Sequence, residues 1–199
     1  MPDDVTRECA GVPAGSECRP PSSAAGDVVL AGHEGRPISP AAREAMAALR
    51  ALPDGAPVIV SACLLGVPCR YDGQARPSAV VRALTQRLRV VPVCPEGASG
   101  LPTPRPPAEA QPASGRILLR DGTDVTKAFE CGARRMLDVA RESGATLAIL
   151  KAHSPSCGVG RVYDGTFTGT LRPGDGLLAR ALRAEGLRLI DEHDLEALS

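Results

Sequence analysis

A chain of 199 residues can hold one domain with a sizeable core and some excess. Hydrophobic residues make up 43%, but aromatics only 2% with no Trp, so the core must be built from Val, Leu, Ile and Ala. Lys plus Arg and Asp plus Glu both number 23, and this neutral balance lacks the clustered basic excess that grips a nucleic-acid backbone, which excludes a nucleic-acid polymer as the expected partner.

Residues 1–38 are rich in Gly, Pro, Ser and charge, show no sustained period, and read as a disordered leader carrying Cys9 and Cys18. The start, with Asp3, Asp4, Arg7 and Glu8, has no apolar stretch of signal-peptide type. Apolar runs such as 145–150 fall far short of the roughly 20 residues of a membrane helix. With seven cysteines, the chain therefore reads as cytoplasmic, with no membrane partner and thiols kept for metal or catalysis.

Residues 39–55 read as a short helix and linker. Ser39 supplies the cap and Pro40 the first helical position, residues 41–52 are strong helix formers, and Pro53-Asp54-Gly55 ends the run. The compact domain is expected over residues 56–199. Val58-Ile59-Val60 is a β-branched strand leading to Cys63, and a helix follows over 78–88. Residues 89–93 form a second strand ending at Cys94, although Pro92 removes a ladder donor. A Pro-rich loop spans 101–112, and a short apolar piece lies at 117–119. The spacing of Phe129, Ala133, Met136, Leu137 and Ala140 predicts a helix over 125–142, capped by Asp124. A third strand at 146–150 leads to Cys157. A hairpin or turn-rich loop at 162–171, a helix over 176–185 and a fourth strand at 187–190 complete the chain. Alternation of this kind implies an α/β fold: a single domain with a mainly parallel, Rossmann-like sheet flanked by helices.

Position then singles out three cysteines. Three of the four strands end, within a few residues, in Cys63, Cys94 or Cys157, and open parallel sheets bind ligands beyond the carboxyl ends of their strands. A structural zinc usually takes four ligands in two close pairs, and the only close pair here is Cys63 with Cys69. A cubane iron–sulfur cluster normally takes four thiolates; three would leave one iron open for chemistry.

These residues resemble a known family. Ser61-Ala62-Cys63-Leu64-Leu65-Gly66 with Cys69-Arg70-Tyr71-Asp72-Gly73 looks like the opening signature of the thiouracil desulfidase family. Cys94-Pro95-Glu96, Gly100-Leu101-Pro102 and Pro104-Arg105 resemble its second block, with a departure at Ala98-Ser99. Asp124-Val125-Thr126 with Phe129 and Gly132-Ala133, then Leu150-Lys151 with Ser154-Pro155-Ser156-Cys157-Gly158, resemble the third and fourth. Tyr163-Asp164-Gly165-Thr166-Phe167 and Gly169 continue the likeness, in order, from about residue 57 onward. The resemblance implies a [4Fe-4S] cluster held by Cys63, Cys94 and Cys157, with one iron not ligated by protein. It implies that the sulfur of a small thiolated substrate binds that iron while water attacks the carbon, without net redox change, and that Glu96 is the acid/base group and Ser154 a polar group at the substrate.

The remaining candidates have plainer readings. Cys69, six residues after Cys63 across a Gly-containing turn, could be a fourth ligand but reads first as a nearby structural thiol; Cys131 reads as a packed or boundary position, and His153 and Ser156 as turn polarity. Arg70, Asp72 and Arg105 are candidates for the substrate side but fit surface ion pairs nearly as well. Gly174 and Gly176 suit a helix-entry turn better than an anion site. Two alternatives to the desulfidase stand at this point: a non-catalytic zinc or iron–sulfur module for sensing or partner binding, and a metal-free persulfide enzyme. Oligomeric state is not legible.

Overall fold

Ser39 opens the first helix as its sequence demands. Its hydroxyl accepts the Ala42 N–H at 3.1 Å and Pro40 takes the first helical position, so α1 runs Pro40–Ala51. The computed structural model describes residues 37–84 and 86–199; all but the last two residues of the expected leader, Cys9 and Cys18 included, lie outside them. After α1 come β1 (Pro57–Ser61), α2 (Ala79–Leu84), β2 (Arg89–Val93) and α3 (Pro95–Ala98). A hairpin of β3 (Ala108–Ala110) and β4 (Ile117–Leu119) precedes α4 (Thr126–Ser143) and β5 (Leu147–Leu150). A second hairpin, β6 (Arg161–Tyr163) and β7 (Leu171–Pro173), leads to α5 (Leu177–Ala184), β8 (Arg188–Asp191) and α6 (Glu192–Leu198).

Four strands make one parallel sheet in the order β2-β1-β5-β8. Helices cover both faces, which is why the inner strands read as unbroken apolar runs. Side chains alternate across the pleat. Val58, Val60, Leu147, Ile149 and Ile190 face a core with Ala45, Met46 and Leu49 of α1 and Leu195 of α6. Ile59, Ala148, Leu150 and Leu189 face the other, with Ala133 and Ala140 of α4 and Leu178 and Leu182 of α5. Ile117, Leu119, Val125 and Phe129 form a smaller core beneath the first hairpin.

The elements differ from expectation in several places, the short α3 among them. The helix expected over 78–88 is shorter, because Arg87 turns back to donate to Leu49 O at 2.7 Å and Leu52 O at 2.5 Å, satisfying the open carbonyls of α1. The loop at 101–112 contains β3, whose Ala-Glu-Ala sequence gives no strand signal. Helix α4 starts one residue late, with Asp124 Oδ1 accepting the Thr126 N–H at 2.9 Å and not serving as the cap itself. Beyond the fourth strand, α6 was not expected; Asp191 caps it through the Asp194 N–H at 2.8 Å. Pro92 is tolerated because β2 is an edge strand, paired only with β1. No helix among the described residues is long and apolar enough to cross a membrane.

Candidate active site

The carboxyl ends of the parallel strands share one rim. Past β1, Ala62–Leu65 forms a 3-10 turn closed by Gly66 at φ 99, a conformation suited to glycine, and this turn holds Cys63. Past β2, Cys94 is the N-cap of α3, its Sγ accepting the Gly97 N–H at 3.3 Å. Past β5, Ser154 Oγ accepts the N–H groups of Ser156 at 3.0 Å and Cys157 at 3.2 Å, tightening the turn that carries Cys157. The N-terminus of α5 braces that turn: Leu177 N–H donates to Pro155 O and Leu178 N–H to Ser156 O, both at 2.9 Å. Gly176 therefore serves the helix-entry turn, and a Cβ there would stand 2.5 Å from Ser156 O.

Cys63, Cys94 and Cys157 all line a single cavity of about 340 Å³, together with Cys69. Cys63 and Cys157 are buried; Cys69 and Cys94 are half-buried. Burial, then the neighbouring Cys94, pushes the Cys63 thiol up to about 12, against the pull of Lys151. The Cys157 thiol is raised well above the ordinary range by burial, with Cys63 and Cys94 adding to it and a hydrogen bond with Ser61 opposing. The Cys94 thiol is lowered, chiefly by a hydrogen bond with Cys69 and also by the Gly97 N–H, which outweigh its burial. Cys63 and Cys157 thus both feel the charge of Cys94 across the cavity. Among the described residues, no three His, Cys, Asp or Glu side chains surround a point suited to one metal ion. The thiols line a space instead. Three soft sulfur donors on the wall of one cavity fit an iron–sulfur cluster, whose irons sit at separate corners.

Glu96, in the first turn of α3, reaches the same cavity. One carboxylate oxygen, Oε2, pairs with Arg105, whose side chain is only 2% exposed; the other, Oε1, accepts from Ser154 Oγ at 3.0 Å. Ser154 thereby links the carboxylate to the Cys157 turn. Arg105 further donates to Thr103 Oγ1 at 3.1 Å, so it is a buried anchor for Glu96, where a surface ion pair was the near-equal reading. Arg70 and Asp72 pair with each other through two hydrogen bonds of 3.1 and 2.9 Å.

His153 lies in the cavity wall, where turn polarity was expected. It adopts φ 65 and sits edge-on to Tyr163 at 5.9 Å between ring centroids. Cys131 is half-buried on α4, outside the cavity. Two residues of the rim went unrecognised. Glu192, at the start of α6, pairs with Lys151 and accepts the Ala152 N–H at 2.6 Å; the strand-end rule that singled out the cysteines also applies to it, directly after β8. Glu109, buried on β3, accepts two loop N–H groups at the far wall and had no sequence signal.

The geometry agrees with what relatives report. The sequence pattern of the 2-thiouracil desulfurase family matches residues 58–194. The chain is 40% identical over 146 residues to the uncharacterized protein YbbK of Bacillus subtilis (strain 168), covering 69% of this chain and 97% of that one. A solved structure, the [4Fe-4S]-dependent thiouracil desulfidase TudS, superposes with a TM-score of 0.63 at 44% identity, covering 71% of this chain and 93% of the other. With a parallel sheet whose strand ends deliver three thiols and a carboxylate to one cavity, the chain belongs to the 2-thiouracil desulfurase family of enzymes.

Proposed function

We propose that this chain hydrolyses the C–S bond of a thiolated nucleobase, of the thiouracil kind, with a [4Fe-4S] cluster held by Cys63, Cys94 and Cys157. The observation that carries the reading is the convergence of these thiols, from three separate strand-end turns, on one cavity that also holds Glu96 and Ser154. When bound, the cluster would supply an iron without a protein ligand, which takes the thiocarbonyl sulfur and draws electrons from its carbon. In this reading the catalytic unit spans residues 56–199.

The chain's own residues supply the rest. Glu96 Oε1 faces Ser154, and a carboxylate at that point accepts a proton from water as its oxygen attacks the carbon. Arg105 and Ser154 fix the carboxylate from two sides, so the base is oriented before substrate arrives. Ala62, Val93, Pro95 and Pro107 give the cavity apolar walls beside the carboxylate. Thiocarbonyl plus water gives carbonyl plus sulfide, and no electrons are exchanged.

The test is anaerobic purification with measurement of iron, zinc and acid-labile sulfide, followed by 2-thiouracil or 4-thiouracil and the decay of thiocarbonyl absorbance. About four irons per chain, the content of one cubane, with uracil released, is the expected result. Zinc alone, or turnover by metal-free protein, would sink the proposal.

A further inference from the structure

The chain holds two Phe, two Tyr and no Trp. One of these rings, Phe129, is fully buried in the core. The other three, Tyr71, Tyr163 and Phe167, all line the cavity. A protein that builds its interior from aliphatic side chains has thus placed most of its flat apolar surface around one ligand space.

Phe167 is held there by an arrangement its own backbone would not choose. It adopts φ 58, in the left-handed region that bulky side chains avoid. Glu109 secures it: the carboxylate is buried, and its Oε2 accepts the N–H of Gly165 at 2.9 Å and of Phe167 at 3.0 Å. Gln111 Nε2 donates to Gly165 O at 2.8 Å, and the loop lies so close to β3 that a Cβ at Gly165 would stand 2.9 Å from that same nitrogen. The Arg120 guanidinium, also in the cavity wall, lies 5.8 Å from the Phe167 ring centroid. Strain held by a buried carboxylate marks a position that function requires. Among the described residues Phe167 belongs to no core cluster, and its ring lines the cavity, so the requirement lies there.

We propose that Phe167, flanked by Arg120, is the platform on which the substrate ring lies, and that Glu109 is the positioning residue that sets it. The site then selects flat heteroaromatic thiocarbonyls over puckered thioamides of the same size. The inference rests on the desulfidase reading and specifies its substrate class. Stacking needs a planar π face, and Phe offers no hydrogen bond, so planarity is what this wall selects.

Uracil and 5,6-dihydrouracil separate the two ideas, because they share every polar group and differ in planarity. The holoenzyme is titrated with each by calorimetry, and each is also used as a competitive inhibitor of thiouracil turnover. The wild type should bind uracil about tenfold tighter than dihydrouracil, within the range of one base–aromatic stack. In Phe167→Leu, which keeps apolar volume, the preference should fall to within about twofold and KM should rise about tenfold, with kcat little changed, since the lost contact is made equally in ground and transition states. Glu109→Ala should do the same, and Glu109→Gln, which keeps an acceptor oxygen, should restore the preference. An unchanged uracil preference in both Phe167→Leu and Glu109→Ala would overturn the platform. A wild type that prefers uracil but removes no sulfur would leave the platform standing and end the desulfidase reading.

Discussion

Glu96 shows how much one side chain owes to its neighbours. Its two oxygens are divided between Arg105, which anchors it, and Ser154, which ties it to the turn bearing Cys157. Replacing it by glutamine keeps the shape and removes the base. Glu96→Gln should lower kcat by about 10²- to 10⁴-fold while iron content stays at the wild-type level, which iron analysis alongside thiouracil kinetics would show. Equal loss of iron and activity would mean that the carboxylate holds the cavity together and does not handle the proton. The residue-scale reading was legible because Cys94, Pro95 and Glu96 are contiguous: the strand that delivers the thiol also delivers the carboxylate. Glu109 was illegible for the converse reason, since its partners Gly165 and Phe167 lie more than fifty residues away and only the folded hairpins bring them together.

At the scale of elements, the long periodic segments declared themselves. Helix α4 carries a regular apolar stripe, β1 holds the β-branched run at 58–60, and β5 is apolar throughout. The short ones did not: β3 has three residues of no strand character, and α6 has seven, too few to establish a period. Close approach of elements also escapes a one-dimensional reading. Gly132, in the middle of α4, faces α3 so tightly that a Cβ would stand 2.0 Å from Pro95 O and 3.0 Å from Ser99 N. By helix propensity alone Gly132→Ala would gain up to about 1 kcal/mol. Here it should destabilise by about 1–3 kcal/mol, since backbone must move to admit the methyl, and it should loosen the Cys94–Glu96 turn. Denaturant titration of the variant decides the sign. At the start of α4, the hydroxyl and N–H of Thr126, with Arg116, hold the Asp124 carboxyl down to about 2 from the usual 3.8. A lowered folded-state value means that this contribution is complete above about 3.8 and disappears as pH falls toward 2. The group is solvent-exposed, so the step should be small; in Asp124→Asn that part of the acid arm of the stability curve should be absent.

For the whole molecule, the rule that parallel sheets bind at their carboxyl ends was enough to place the cavity, because β1, β2 and β5 each pass a cysteine into it. What the rule did not supply was the fourth strand's share. Past β8 the chain turns into α6, whose Glu192 sits against Lys151 in the cavity wall, whose Leu195 is fully buried, and whose Glu196 accepts from Ser78 Oγ at 2.8 Å. Deleting residues 192–199 should therefore cost at least the roughly 2–5 kcal/mol of losing one buried leucine. A thermal melt would show whether it does; an unshifted midpoint would contradict the packing described.

Helix α6 thus stands behind the cavity wall, its Glu192 holding Lys151 and the Ala152 N–H, both of which belong to that wall. A protein trimmed after Asp191 by a protease would keep every sulfur and the putting-in-place of Glu96, yet leave the Lys151 ammonium with no counter-charge beside the thiols.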